Sequence, residues 1–201
     1  SKMLGCDISK YQGKVDFFKM KKAGIFFGKG YEEIEALTVV DLLRRAGIEI
    51  ESVGVGSSLI SGSHVIKIVC DKTVSDISVN DNLNGIILPG GMPGTTNLMN
   101  NSRVEDFIDK CYQNKKLICA ICAAPSILGK KGLLKDKKAT CFPGFEEELK
   151  GAKLCHSTVV VDGKIITAKG AGVALDFGLK LVELLVSEEK AKSLKESLQC
   201  R

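Results

Sequence analysis

The chain has two histidines among its 201 residues, His64 and His156, and neither stands at ligand spacing from other metal-binding side chains. No metal centre is therefore expected. It also lacks a long apolar run: the longest, Leu117 to Leu128, is interrupted by Pro125 and falls short of the ~20 residues that span a bilayer. The first twenty residues hold Lys2, Asp7, Lys10, Lys14, Asp16 and Lys19 and carry no apolar segment of signal-peptide length. These absences predict a cytoplasmic protein with no membrane partner. Missing as well is a basic block interleaved with aromatics. The formal charge of +5 comes from scattered lysine pairs such as Lys21-Lys22, Lys115-Lys116, Lys130-Lys131 and Lys137-Lys138, which argues against nucleic acid as a primary partner. No internal repeat or low-complexity segment is present.

What the chain has in number is cysteine, eight in all, alongside 44% hydrophobic residues, enough for one substantial core. A disulfide scaffold suits small secreted domains without a core, and this chain is neither small nor visibly secreted. Cys119 and Cys122 form a C-x-x-C, but on extended strand their Cα atoms would lie roughly 10 Å apart, beyond disulfide reach. Thiols rather than bridges are expected.

Apolar runs at Gly85 to Leu88 and Leu117 to Ile121 are continuous rather than alternating, as in strands of a parallel sheet buried on both faces. From Ile25 the order reads strand (25–28), helix (32–46), strand (48–55), a strand or hairpin region through Cys70, strand (85–88), helix (about 103–114), strand (117–121) and a helix after Cys122. Val159 to Val161 and Ile165 to Thr167 flank Asp162-Gly163, a hairpin signal that puts an antiparallel pair near the sheet edge. The fold class expected is α/β with a mostly parallel sheet. Val173, Phe177, Leu181, Leu184 and Leu185 recur at helical spacing, and a mostly polar helix, 188–198, reads as a surface element. Residues 1–22 do not extend this pattern. They read as an N-terminal appendage or added leader ahead of a single domain over 23–201, and Gly5 to Gly13 resembles the opening of lysozyme-type glycoside hydrolases.

Cys122 is the candidate nucleophile. It ends a buried strand and precedes Ala123-Ala124-Pro125, the opening of a helix, so converging N–H groups and the positive helix end would favour its thiolate. A buried cysteine acting as a small hydrophobe is the alternative. A second strand runs into Pro89-Gly90-Gly91-Met92-Pro93-Gly94, so two strands end in loops suited to a pocket. A proton carrier is sought on the helix Tyr31 to Ala46, whose apolar arc holds Ala36, Val39, Val40, Leu42, Leu43 and Ala46. Glu32 and Glu35 project onto that arc and Glu33 onto its polar edge. Acidic residues also suit a first helical turn, and the spacing does not choose between Glu32 and Glu35. Backbone N–H groups of Gly91 and Ala123 are the candidate oxyanion donors.

Gly28-Lys29-Gly30-Tyr31-Glu32-Glu33-Ile34-Glu35-Ala36, Leu88-Pro89-Gly90-Gly91, Ala120-Ile121-Cys122-Ala123-Ala124-Pro125 and Lys169-Gly170-Ala171-Gly172 together resemble the ThiJ/PfpI superfamily over about residues 21–190. Within it the chain is similar to the branch of the Parkinson-linked deglycase and bacterial YajL. The resemblance implies a flavodoxin-like three-layer sandwich, usually a homodimer, without cofactor. It places the reactive thiol on Cys122, the pocket carboxylate on Glu35, the backbone donors on Gly91 and Ala123, and pocket walls on Gly90, Phe142 and Ala171. The human-type histidine before proline is replaced by Cys141-Phe142-Pro143, so Glu35 carries more of the proton traffic. Gly170-Ala171-Gly172 stands where G-P-G is usual, and Ala123 where the protease-like branch has histidine.

The resulting expectation is a stress-protective enzyme acting on reactive 2-oxoaldehydes or early glycation adducts, with nucleic acid a partner only as a glycated substrate. A redox-responsive chaperone or sensor is the alternative. An amidotransferase-like hydrolase would need His64 or His156 brought close to Cys122.

Overall fold

The computed structural model describes residues 21–201. The glycosidase-like Gly5 to Gly13 stretch and nearly all of the expected leader lie outside the described residues.

Unbroken apolar runs demand cover on both faces, and the chain supplies it with helices between strands. In order, the elements are β1 (Lys22–Phe27), α1 (Glu33–Arg45), β2 (Glu49–Gly54), β3 (Leu59–Ser61), β4 (Lys67–Val69), β5 (Lys72–Thr73) and β6 (Gly85–Leu88). There follow α2 (Gly94–Met99), α3 (Ser102–Gln113), β7 (Leu117–Ile121), α4 (Pro125–Lys130), β8 (Lys138–Ala139), β9 (Lys153–Leu154), β10 (Val159–Asp162), β11 (Ile165–Ala168), α5 (Ala174–Leu185) and α6 (Glu188–Ser197). Seven strands form one sheet in the order β10-β11-β7-β6-β1-β2-β5. All its neighbours are parallel except the β10–β11 hairpin at one edge.

Strand alternation divides the core in two. Ile25, Phe27, Cys119 and Ile121 face α1, α5 and α6, whereas Phe26, Ile86, Leu88, Ile118 and Ala120 face α2, α3 and α4. The three-layer sandwich is thus present. Gly178 lets α5 close onto α1, because a Cβ there would overlap Leu42 Cδ1. The polar α6 is more than a surface element: Ala191 and Leu194 are buried in the core beneath it.

Several boundaries differ from expectation, each for a local reason. The first strand starts at Lys22, a residue assigned to the leader, because the Lys22 N–H finds Asn84 Oδ1 at 2.9 Å and the strand pairs in register with Glu49 to Gly54. The Pro-Gly-rich stretch after β6, read as loop, turns into α2, six residues with no side-chain cap. The β8–β9 pair is two residues per strand, too short for a periodic signal. The region before Cys70 is a true hairpin, β3–β4, separate from the main sheet. Among the described residues no helix is long and apolar enough to cross a membrane. The seven described cysteines are all free, both members of the C-x-x-C included.

The sheet reverses direction at β1, which pairs with β2 on one side and β6 on the other. Crevices outside the carboxyl ends of strands at such a switch point are where α/β proteins place ligands. The loops after β1, β6 and β7 meet there.

Candidate active site

Cys122 follows the last residue of β7 and adopts φ +64°, a left-handed conformation that side chains other than glycine avoid. Holding it costs on the order of 1–3 kcal/mol, and backbone bonds on both sides do so. The Cys122 N–H donates to Ala168 O at 2.9 Å, while the Cys122 carbonyl accepts from the Phe142 N–H at 2.9 Å. The turn lifts a half-buried thiol out of the sheet. This is the backbone geometry of a nucleophile elbow.

Glu35 reaches the thiol from α1. Glu32 caps that helix, its Oε2 accepting the Glu35 N–H at 2.9 Å, and its own N–H donates to Gly90 O at 3.0 Å. The Glu35 carboxyl is 1% exposed. Its Oε2 accepts the Gly90 N–H at 2.9 Å, whereas Oε1 is buried with no N–H or O–H partner among the described residues. The neighbour able to share a proton with this carboxyl is the Cys122 thiol. A Cβ at Gly90 would sit 2.6 Å from Cys122 Cβ and 2.7 Å from Glu35 Oε2, so only glycine lets the two side chains meet.

Burial pushes the Glu35 carboxyl up to about 7, against the opposing pull of the thiol and the Gly90 N–H. Burial and then the Glu35 charge push the Cys122 thiol up to about 12, although N–H groups of Ala123 and Gly91 pull the other way. The loop donors thus act in the expected direction, but the net proton affinity is raised where it was expected to be lowered. The helix, α4, is only six residues long and starts at Pro125, so its dipole is weak, and desolvation outweighs the two donors. The pair titrates as a unit, releasing one proton near neutrality and holding the other far into alkali.

The other expected residues fall around this pair. The Gly91 and Ala123 N–H groups act on the thiol as backbone donors that lower its proton affinity. Phe142, 47% exposed, stands beside the Cys122 backbone, and a Cβ on Gly170 would touch its ring at 3.2 Å. Ala171 opens the 3-10 turn Ala171–Val173 just beyond Gly170. His156 is exposed in the β9–β10 connection, and neither histidine hydrogen-bonds Cys122.

Two features escaped sequence reasoning. Glu33, assigned to the polar edge of the helix, is 5% exposed because the β3–β4 hairpin folds over it. It accepts from the His64 N–H at 2.8 Å and Ser63 Oγ at 3.2 Å, and meets His64 Nδ1 at 3.0 Å. His64, expected to stand alone, thereby clusters with Glu32 and Glu33. A helical wheel sees one helix, so a cover supplied thirty residues later leaves no mark on it.

Fold and site define a class: a flavodoxin-like α/β protein with a thiol–carboxyl pair on an elbow at the sheet's switch point. Residues 21–184 match the DJ-1/PfpI family, and the chain belongs to it. It is 33% identical to protein dj-1beta of Drosophila melanogaster over 89% of this chain and 96% of that one. With protein DJ-1 homolog B of Arabidopsis thaliana the identity is 39% over 90% of this chain, which spans only 42% of that longer protein. It likewise spans 45% of DJ-1 homolog A from the same plant. The crystal structure of Drosophila DJ-1beta superposes with a TM-score of 0.87 at 32% identity, covering 90% of this chain and 99% of that one. Oxidized DJ-1 of Toxoplasma gondii gives 0.86 at 32% identity, covering 89% and 98%.

Proposed function

We propose that this protein is a cofactor-independent enzyme acting on small 2-oxoaldehydes or the early glycation adducts they form. The observation that carries this reading is the left-handed Cys122 elbow beside a buried carboxyl with one unpartnered oxygen. With one proton between the two groups, the reactive arrangement is neutral Glu35 against Cys122 thiolate. The thiolate attacks the aldehyde carbon, forming a C–S bond, and the Glu35 proton passes to the carbonyl oxygen to give a hemithioacetal. Glu35, now a carboxylate, takes the proton from that carbon and delivers it to the neighbouring ketone oxygen, giving an enediol. The hydroxyl on the sulfur-bearing carbon then gives its proton to Glu35, which passes it to the second carbon, and a 2-hydroxy thioester is left. Water cleaves it, releasing the hydroxy acid and restoring the thiol. Developing negative charge on oxygen would be met by the Gly91 and Ala123 N–H groups.

Cys122→Ser is expected to abolish lactate formation from methylglyoxal. Turnover at the wild-type rate in that variant would refute the assignment.

A second reading is favoured by one comparison, the solved Toxoplasma relative described as oxidized. In it, peroxide oxidises Cys122 to a sulfinate steadied by Glu35 and the same N–H groups, and the protein acts as a redox-responsive chaperone. Mass spectrometry after mild peroxide separates the two. Preferential oxidation of Cys122 with gain of holdase activity and no aldehyde turnover supports the second.

Under either reading we place the protein in the cytoplasm, where free thiols persist, as a homodimer. The dimer is supported by exposed apolar residues on α1 and the hairpin it holds: Ile34 at 56%, Val65 at 73% and Val69 at 76% exposure. Sedimentation equilibrium at micromolar concentration checks it.

A further inference from the structure

At the end of the sheet opposite Cys122 lies a separate concavity of about 390 Å³. Its floor is Ile118 and Ile165, buried register partners near the starts of β7 and β11. Around it stand Lys115, Lys116, Lys137, Lys164 and Tyr112, and among the described residues no carboxylate lines it. None of these four lysines belongs to an ion pair among the described residues.

Lysines at the end of α3 suit the negative end of that helix, which accounts for Lys115 and Lys116. It does not account for Lys137, ahead of β8, or Lys164, in the β10–β11 turn. Three separate parts of the chain thus each bring a lysine to the lining of one hollow, and their backbones are anchored. The Lys116 N–H donates to Cys111 O at 2.9 Å, Lys137 O accepts from the Lys153 N–H at 2.7 Å, and Lys164 O accepts from the Ile118 N–H at 2.8 Å. Four ammonium groups held around a partly apolar hollow repel one another, and a multivalent anion relieves that repulsion.

We propose that this cavity binds a small organic oligophosphate. Ammonium groups serve as point charges for phosphate oxygens without demanding one bidentate geometry. The Tyr112 ring, 47% exposed, and the isoleucine floor offer cover for a flat heterocycle. The volume lies in the range of small-molecule pockets, which favours one nucleotide-sized ligand over a macromolecular segment. The site is independent of the Cys122 chemistry.

The test is isothermal titration of the full chain with ATP and with sodium tripolyphosphate at low ionic strength. One site is expected, with ATP binding severalfold tighter than tripolyphosphate and affinity falling steeply as salt rises. Lys137→Glu with Lys164→Glu, the first half-buried and the second exposed, should weaken both probes at least tenfold while the alkylation rate of Cys122 stays unchanged. Tyr112→Ala should weaken ATP alone. Absence of binding, or equal binding by the double lysine variant, would overturn the site. Indifference to Tyr112→Ala would overturn the organic part of the ligand. Tighter binding of a single-stranded DNA 20-mer, lost in the same lysine variant, would replace it with a nucleic-acid surface.

Discussion

Glu33 and Glu35 lie two residues apart on α1, both buried, and meet opposite fates. Glu33 turns toward the β3–β4 hairpin, where both its oxygens are taken by His64, Ser63 and the Ile66 N–H. Burial opposes its ionisation, but those bonds win and hold its carboxyl below the ordinary 4.5. Glu35 turns toward the sheet, where one N–H answers one oxygen and the other oxygen has none. Here burial wins, and its carboxyl rises to about 7. The difference teaches that donor supply, not burial, separates a structural carboxylate from one left able to carry a proton. A fully satisfied group is inert; a half-satisfied one beside a thiol is available.

The largest effect should come from removing the available carboxyl. Glu35→Gln is expected to lower aldehyde turnover by about 10²–10⁴-fold with the fold intact, measured by lactate production and circular dichroism. A loss below tenfold would erase the proposed distinction between the two glutamates. Next comes Gly90→Ala, whose methyl would wedge between the thiol and the carboxyl. Cys122 alkylation should then lose its inflection near neutral pH, leaving one step of simple thiol type.

Glu33→Gln should act on stability. Loss of charge on an acceptor of several N–H groups costs about 1–3 kcal/mol, seen as a lower unfolding midpoint and faster hydrogen exchange at His64 and Ile66, with turnover changed only a few-fold. The smallest effect is the sharpest comparison. Glu33, with its folded value depressed, contributes stability present above about 4.5 and lost as pH falls through that depressed value. Glu35, with its folded value raised, contributes stability present below 4.5 that drains away as pH rises toward about 7. Denaturant midpoints across this range should therefore lose their acid-side rise in Glu33→Gln and their neutral-side fall in Glu35→Gln. The same slope in both variants would show that the two carboxyls do not differ.

Much of the site was legible because it is local. Cys122 was marked by a buried strand giving way to a helix, and Gly90 and Gly91 by a turn-rich loop after another buried strand. The hairpin at Asp162-Gly163 needed only its turn signal. Helical spacing narrowed the carboxylate to Glu32 or Glu35, and the family resemblance selected Glu35. The spacing could go no further because both residues face the same arc, and Glu32 is spent as the helix cap. Illegible were the burial of Glu33 and the cluster with His64, since both depend on a hairpin that returns from thirty residues away. The direction of the Cys122 proton affinity was misjudged for a similar reason: N–H donors can be guessed from a turn, but desolvation depends on every element packed around it.

Residue order alone determined the alternation of strands and helices, the antiparallel edge pair, and a thiol poised on a tight turn, because hydrophobic periodicity and turn chemistry act over a few neighbours. Tertiary structure decided which carboxyl meets that thiol, which one is locked away, and how many protons the pair retains. Those outcomes depend on solvent exclusion and on donors from distant segments, and neither exists until β1, β6 and β7 lie side by side.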